Sequence, residues 1–283
     1  MCAGSKKEQM DKLLFLSINT ALEAGKAISE IYKSGDWNVE LKDDDSPLTS
    51  ADLASNEIIT RRLTKTALPI LSEEGKNVSY VERSTWNLFW MVDPLDGTKE
   101  FVKRNGEFTV NIALIEEGRP VSGVIYAPEL KVLYYGDIEE GSFKIENITY
   151  DSCPKTIGQL TEMSVKLPVE APTVYTILAS KSHLTEKTEK FIDQRKAQCP
   201  EISVISVGSS LKFCWLAEGK AHVYPRFGPT MEWDTAAGHA ILKYASGEVT
   251  VAGTNKELVY NKEVLVNPDF IAKSYLIDEN VDY

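Results

Sequence analysis

Apolar residues recur at three- and four-residue steps from residue 10 to residue 32, with Leu14, Ile18, Ala21, Gly25, Ile28 and Tyr32 on one stripe. That period predicts an amphipathic helix, ended by Ser34-Gly35. Residues 43–50 are polar and include Pro47, which predicts a loop. Thr49 and Ser50 are both good N-cap residues, so a second helix is predicted from there to about Lys65. Strand-like text follows. Pro69-Ile70-Leu71 leads into Ser72-Glu73-Glu74-Gly75, and the apolar run 88–92 stops at Asp93-Pro94. Further strands are predicted at 108–115, then, after the turn Glu116-Glu117-Gly118, at 121–126, 132–135 and 142–145. This is the spacing of an antiparallel meander, and with two helices before it the first half reads as α+β.

The texture then changes. Strands are predicted at 174–179, 202–207 and 221–224, and helices at 184–196, 209–217 and 232–244. Strand and helix alternate, which indicates an α/β second half. The boundary falls between 150 and 172, where Pro154, Pro168 and Pro172 cluster without a long linker. We place it at 155, giving halves 1–155 and 156–283.

Composition narrows the function. The net charge of -11 argues against a nucleic-acid polymer as partner, because backbone binding draws on clustered Lys and Arg. A small anionic ligand remains compatible, since local cations and a metal outweigh a distant negative surface. The four cysteines show no metal-ligand spacing and read as free thiols of a reducing compartment. The opening residues lack the apolar core of a signal peptide, and no apolar run reaches the length of a membrane span. The expectation is a cytoplasmic protein without a transmembrane segment, compatible with peripheral attachment to a membrane.

Four acidic stations carry the chemistry. Asp93 and Asp96 lie three apart in Asp93-Pro94-Leu95-Asp96-Gly97-Thr98, directly after an apolar strand. Pro94 stiffens that turn and Gly97 lets it bend sharply. Such a turn can aim both carboxylates, and the carbonyl between them, at one hard cation. The amides after Gly97 could face a phosphate oxygen at a helix start. Taken alone, the motif reads equally as an ordinary β-turn. Glu73-Glu74 ends an apolar stretch, Asp52 follows the N-cap pair Thr49-Ser50, and Asp234 opens a helix rich in small residues. Each also has a plain reading, as a solvated pair or as an acid favoured by a helix dipole. Together they place carboxylates where elements begin or end and side chains can converge. Such a cluster is costly unless metal ions neutralise it.

The same four stations, Thr49-x-x-Asp52, Glu73-Glu74, Asp93 to Thr98 and Trp233-Asp234, resemble the inositol monophosphatase superfamily of lithium-sensitive, magnesium-dependent phosphatases over essentially the whole chain. The text Gly208-Ser209-Ser210-Leu211-Lys212 and Tyr224-Pro225-Arg226-Phe227-Gly228 is similar to its 3'(2'),5'-bisphosphate nucleotidases, the bacterial branch above all. These hydrolyse 3'-phosphoadenosine 5'-phosphate (PAP) to AMP in sulfur metabolism.

The resemblance implies a layered αβαβα sandwich with the metal site between the halves, in a fold that admits homodimers. It implies two or three Mg2+ ions held by Glu73, Asp93, Asp96, Asp234 and the Leu95 carbonyl. Thr98 would orient the attacking water with Asp52 nearby, and Glu74 would reach a metal through water or sit beside the site. Amides of Gly97 and Thr98 would bind the scissile phosphate. Ser209, Lys212 and Arg226 match positions holding the phosphate that is not cleaved, and His183 a position against the adenine. Read without the family, His183 is a surface cap and Lys212 a solvated side chain. Inositol phosphatases tend to carry an acid near Arg226, whereas a guanidinium suits a second phosphate. The rivals are an inositol or sugar phosphatase on the same fold, and a catalytically dead nucleotide-binding member.

Overall fold

The structure, a computed structural model, describes residues 3–35, 37, 39–41, 47–169, 171–179, 185–199 and 201–275. The first apolar stripe lies on one long helix, α1 (Ala3–Ser34), which begins before the stripe because its polar first turns need no core face. A two-residue antiparallel pair, β1 (Glu40–Leu41) and β2 (Pro47–Leu48), leads to α2 (Ser50–Leu63). Thr49 is the N-cap of α2, and its amide and hydroxyl both donate to Asp52 Oδ2, at 2.8 and 2.6 Å.

A seven-stranded sheet follows, built from β3 (Ile70–Ser72), β4 (Leu88–Asp96), β5 (Thr109–Glu116), β6 (Arg119–Ala127), β7 (Val132–Asp137), β8 (Gly141–Glu146) and β9 (Val165–Lys166) in that order. β3 is parallel to β4, and every later neighbour pair is antiparallel, which is the meander predicted from the turn spacing. Short helices α3 (Tyr80–Arg83), α4 (Thr98–Val102) and α5 (Ile157–Glu162) interrupt it. β4 does not stop at Asp93-Pro94 as predicted. It runs on to Asp96 with a register shift against β5 between Asp93 and Asp96. Proline lacks the ladder N–H, and a bulge accommodates it.

The second sheet has the order β11-β10-β12-β14-β13, from β10 (Tyr175–Ala179), β11 (Ile202–Ser206), β12 (Val223–Arg226), β13 (Glu248–Val251) and β14 (Phe270–Lys273). β10 pairs in parallel with β11 and β12, and the connections supply α6 (Glu186–Gln198) and α7 (Leu211–Glu218). The antiparallel β14 and β13 were not predicted: β14 lacks alternation, and β13 alternates over only four residues. α8 (Glu232–Lys243) joins the two sheets.

Alternation along the buried strands explains the layers. Trp90 and Val92 enter the core beneath α1 and α2, while Phe89 and Met91 enter the core shared with α7, α8 and the second sheet. α6 covers the outer face of the second sheet through Phe191 and Ile192, packed with Ile177, Val223 and Ile271. The order is αβαβα, an α+β layered sandwich. Among the described residues no helix is long and apolar enough to cross a membrane.

The central α8 lies very close to the first sheet. A Cβ on Gly123 of β6 would fall 2.4 Å from the Ala237 carbonyl oxygen, so only glycine fits. Gly123→Ala is expected to destabilise the protein by about 1–3 kcal/mol through overpacking. Denaturant unfolding checks this, and an unchanged midpoint would show that α8 shifts freely.

Candidate active site

The site forms where β3, β4 and α8 end or begin. Asp93 is 2% exposed, and its Oδ1 accepts from the Leu95 amide at 3.0 Å, so the turn after it is held by its own side chain. Ser55 of α2 donates to the Pro94 carbonyl at 2.6 Å. Gly97 then reverses the chain at φ +90, where an added Cβ would meet Ser209 Cβ at 3.2 Å, and α4 starts. The Glu73 amide donates to the Val92 carbonyl at 3.1 Å, setting the acid beyond β3 beside Asp93. Asp234 sits in the first turn of α8, its Oδ2 accepting from the Met231 amide at 2.8 Å.

Carboxylate oxygens of Glu73, Asp93 and Asp234 thereby lie within 4.8 Å of one another. Burial pushes the Asp93 carboxyl well above the usual range, and the charges of Glu73, Asp96 and Asp234 push it further. Asp234 is raised for the same reasons, burial first and then Asp96 and Glu73. The donors are all carboxylate oxygens, with backbone carbonyls beside them, and they carry excess negative charge. That set fits a hard divalent cation, which would offset the repulsion.

Two hydroxyls complete the arrangement. Thr98 Oγ1 donates to Asp52 Oδ1 at 3.2 Å and lies 3.3 Å from the Leu95 carbonyl. Asp52 is 2% exposed, and burial raises its carboxyl, helped by the charge of Glu74. On the other side Ser210 Oγ lies 2.5 Å from Asp96 Oδ2 and accepts from Asn111 Nδ2 at 2.7 Å.

A cleft of about 320 Å³ opens over these groups. Glu73, Asp96, Gly97, Thr98, Ser209, Lys212, Arg226 and Asp234 all line it. Arg226 is 8% exposed. One of its terminal nitrogens donates to the Pro229 carbonyl at 2.9 Å, and its Nε has no hydrogen-bond partner. Lys212 is not the solvated side chain of the plain reading. It is 7% exposed, donates to the Val207 and Ser209 carbonyls at 3.2 and 2.6 Å, and is lowered to about 8, by burial first. The Ser209 hydroxyl is buried with no hydrogen-bond partner.

The three-carboxylate cluster includes neither Asp96 nor Glu74. Asp52 is reached through Thr98, while Glu74 flanks Glu73 in the turn after β3. His183 lies outside the described residues. Sequence reasoning missed Asn111, Ser210 and Glu107, whose Oε2 accepts from the Gly208 amide at 2.7 Å. The available signal was Asn111, a lone amide inside the apolar run 108–115.

The inositol monophosphatase family matches residues 9–281. The chain is 44% identical over 259 residues to the 3'(2'),5'-bisphosphate nucleotidase CysQ of Salmonella typhimurium, spanning 90% of this chain and 97% of that protein. It is 41% identical over 275 residues to the protein of the same name from Buchnera aphidicola, spanning 95% and 94%. The crystal structure of CysQ from Bacteroides thetaiotaomicron, a bacterial member of the inositol monophosphatase family, superposes with a TM-score of 0.87 at 47% identity, covering 94% of this chain and 98% of that one.

Removing one charge from the cluster separates cation binding from folding. Asp93→Asn is expected to lower turnover roughly a hundredfold or more. Without divalent cations its melting temperature should equal or exceed that of the unaltered protein, since repulsion is relieved. Mg2+ should raise the melting temperature of the unaltered protein and raise that of the variant much less. Equal stabilisation of both by Mg2+ would remove Asp93 from the cation site.

Proposed function

The chain belongs to the inositol monophosphatase family, a family of phosphatases, and we propose that it is a Mg2+-dependent 3'(2'),5'-bisphosphate nucleotidase that hydrolyses PAP to AMP and phosphate. The observation that carries the substrate choice is Arg226. A buried guanidinium with an unpartnered Nε faces the same cleft as the acidic cluster, with Lys212 and the Ser209 hydroxyl beside it. A cleft lined by carboxylates at one place and cations at another suits a molecule with two phosphates, one near a metal and one against Arg226. A neutral polyol would offer the unpartnered Nε no charged acceptor.

In this reading residues 1–155 carry most of the cation ligands, and residues 156–283 carry Asp234 and the substrate contacts. Glu73, Asp93, Asp96, Asp234 and the Leu95 carbonyl would hold two or three ions, with Glu74 beside them. Mg2+, when bound, offsets the charge of the phosphoryl oxygens and lowers the pKa of water. The protein's own groups orient the reaction. The Thr98 hydroxyl donates its hydrogen bond to Asp52, so its lone pairs are free to accept from a water and hold it toward the scissile phosphate. The amides of Gly97 and Thr98 face that phosphate, and Arg226 takes the other through parallel hydrogen bonds. His183 is assigned to the adenine. We place the enzyme in the cytoplasm.

A panel of PAP, inositol 1-phosphate and fructose 1,6-bisphosphate with Mg2+ tests the activity, and a preference for inositol 1-phosphate would restore the rival on this fold. No phosphate release from any would favour the catalytically dead reading. Arg226→Ala is expected to lower kcat/KM for PAP roughly 10- to 150-fold, and for a nucleoside monophosphate only slightly. Lys212→Ala should cost both substrates, because its ammonium also holds two loop carbonyls. Equal losses on both substrates in Arg226→Ala would overturn the second-phosphate assignment. Li+ should inhibit where matched Na+ does not; unchanged activity would count against the family's cation chemistry here.

A further inference from the structure

Ser210 departs from a local rule. It stands at the N-cap of α7, where a serine hydroxyl normally accepts from the first helix amides, yet it makes no capping hydrogen bond. Its hydroxyl is directed instead at Asp96, 114 residues away in the chain. Asn111 departs from another. It is an amide 1% exposed inside β5, a strand buried at every position but its last, where asparagine is disfavoured. Its Nδ2 donates to Ser210 Oγ and lies 3.4 Å from Asp96 Oδ2, while its Oδ1 has no hydrogen-bond partner. Both departures cost stability, and both converge on one carboxylate oxygen.

The Ser210 hydroxyl has a single proton. The Asp234 carbonyl also lies 2.9 Å from its oxygen, but an ionised carboxylate is the stronger acceptor and the nearer one. With the Asn111 amide donating from another side, the proton is directed to Asp96. Fixing one carboxylate oxygen fixes the plane of the group, and so the direction of the other oxygen.

We propose that Ser210, set by Asn111, is a positioning residue that orients the Asp96 carboxylate for its cation and ties it to the loop that reads the second phosphate. This rests on the proposed reading of the cleft. The loop is itself held at both ends, by the Gly208 amide on Glu107 and by the Lys212 ammonium on the Val207 and Ser209 carbonyls. Its hydroxyl at Ser210 therefore carries the register of the second half onto a carboxylate of the first.

Ser210→Ala removes the hydroxyl, Ser210→Thr keeps it, and Asn111→Ala removes the group that directs it. Mn2+ binding to substrate-free protein, read from the paramagnetic resonance of free Mn2+, should weaken about tenfold in Ser210→Ala and Asn111→Ala, as for other groups that orient metal ligands. Ser210→Thr should largely restore it. With PAP, kcat should fall by a similar factor while KM changes little. Unaltered Mn2+ affinity in both alanine variants overturns the inference. So does a loss in Ser210→Thr equal to that in Ser210→Ala, since a hydroxyl in place would then have no effect. The Mn2+ titration needs no substrate, so it tests the positioning separately. Failure of the nucleotidase reading would appear instead as unaltered protein that binds Mn2+ but releases no phosphate from PAP.

Discussion

The site answers to the mutual repulsion of acids held together, Asp93 buried and Glu73 and Asp234 half-buried beside it. Oxygens of Glu73, Asp93 and Asp234 lie within 4.8 Å of one another, and at an effective dielectric near 20 each charged pair at that separation costs roughly 3 kcal/mol. A chain that merely collapsed would place these groups apart. The fold brings them together by carrying each on a different element, at the ends of β3 and β4 and in the first turn of α8. Burial first and then this repulsion raise the Asp93 and Asp234 carboxyls, and a divalent cation would offset the repulsion.

The supporting frame is correspondingly rigid. α8 brings Asp234 to the first sheet because Gly123 offers no side chain at the contact. The capping interaction at the start of α2 holds Asp52 by two donors from Thr49, and Thr98 reaches it from the far side of the turn. At the start of α8, buried Glu232 accepts from the Asn261 and Lys262 amides and from the Lys262 ammonium, while Arg83 donates to the Lys262 and Glu263 carbonyls of the same loop. These bonds pin the first turn of α8, two residues from Asp234.

The cleft has a second character across from the acids. Lys212 and Arg226 are buried cations; burial lowers Lys212 first, the charge of Asp96 opposes that, and Arg226 adds a smaller push downward. Two like-charged groups are again held together by the fold, here with the sign that attracts an anion. The cleft thus presents acids and cations together, a lining compatible with the proposed ligand of two phosphates and a divalent cation.

Much of this was legible along the chain. The meander, the helix start at Thr49 and the alternation of the second half follow from period and turn residues, which act over a few neighbours. The acids were legible because each stands at the end of a predicted element, in motifs whose spacing is local. Legibility ended where partners are remote. The reading of Asp93-Pro94 as a stop was local too, and pairing with β5 overrode it by absorbing Pro94 in a bulge. The plain alternative of a solvated Lys212, weighed beside its reading as a substrate contact, was local as well, and the burial of α7 removes it. No motif marked the roles of Asn111 and Ser210, since these lie in contacts with each other across 99 residues and from Ser210 to Asp96 across 114. Local sequence determined which elements form and where acids cap or end them. Only tertiary packing decided which of those ends meet, because that depends on the layers burying their apolar faces against one another, and no short-range pattern encodes it.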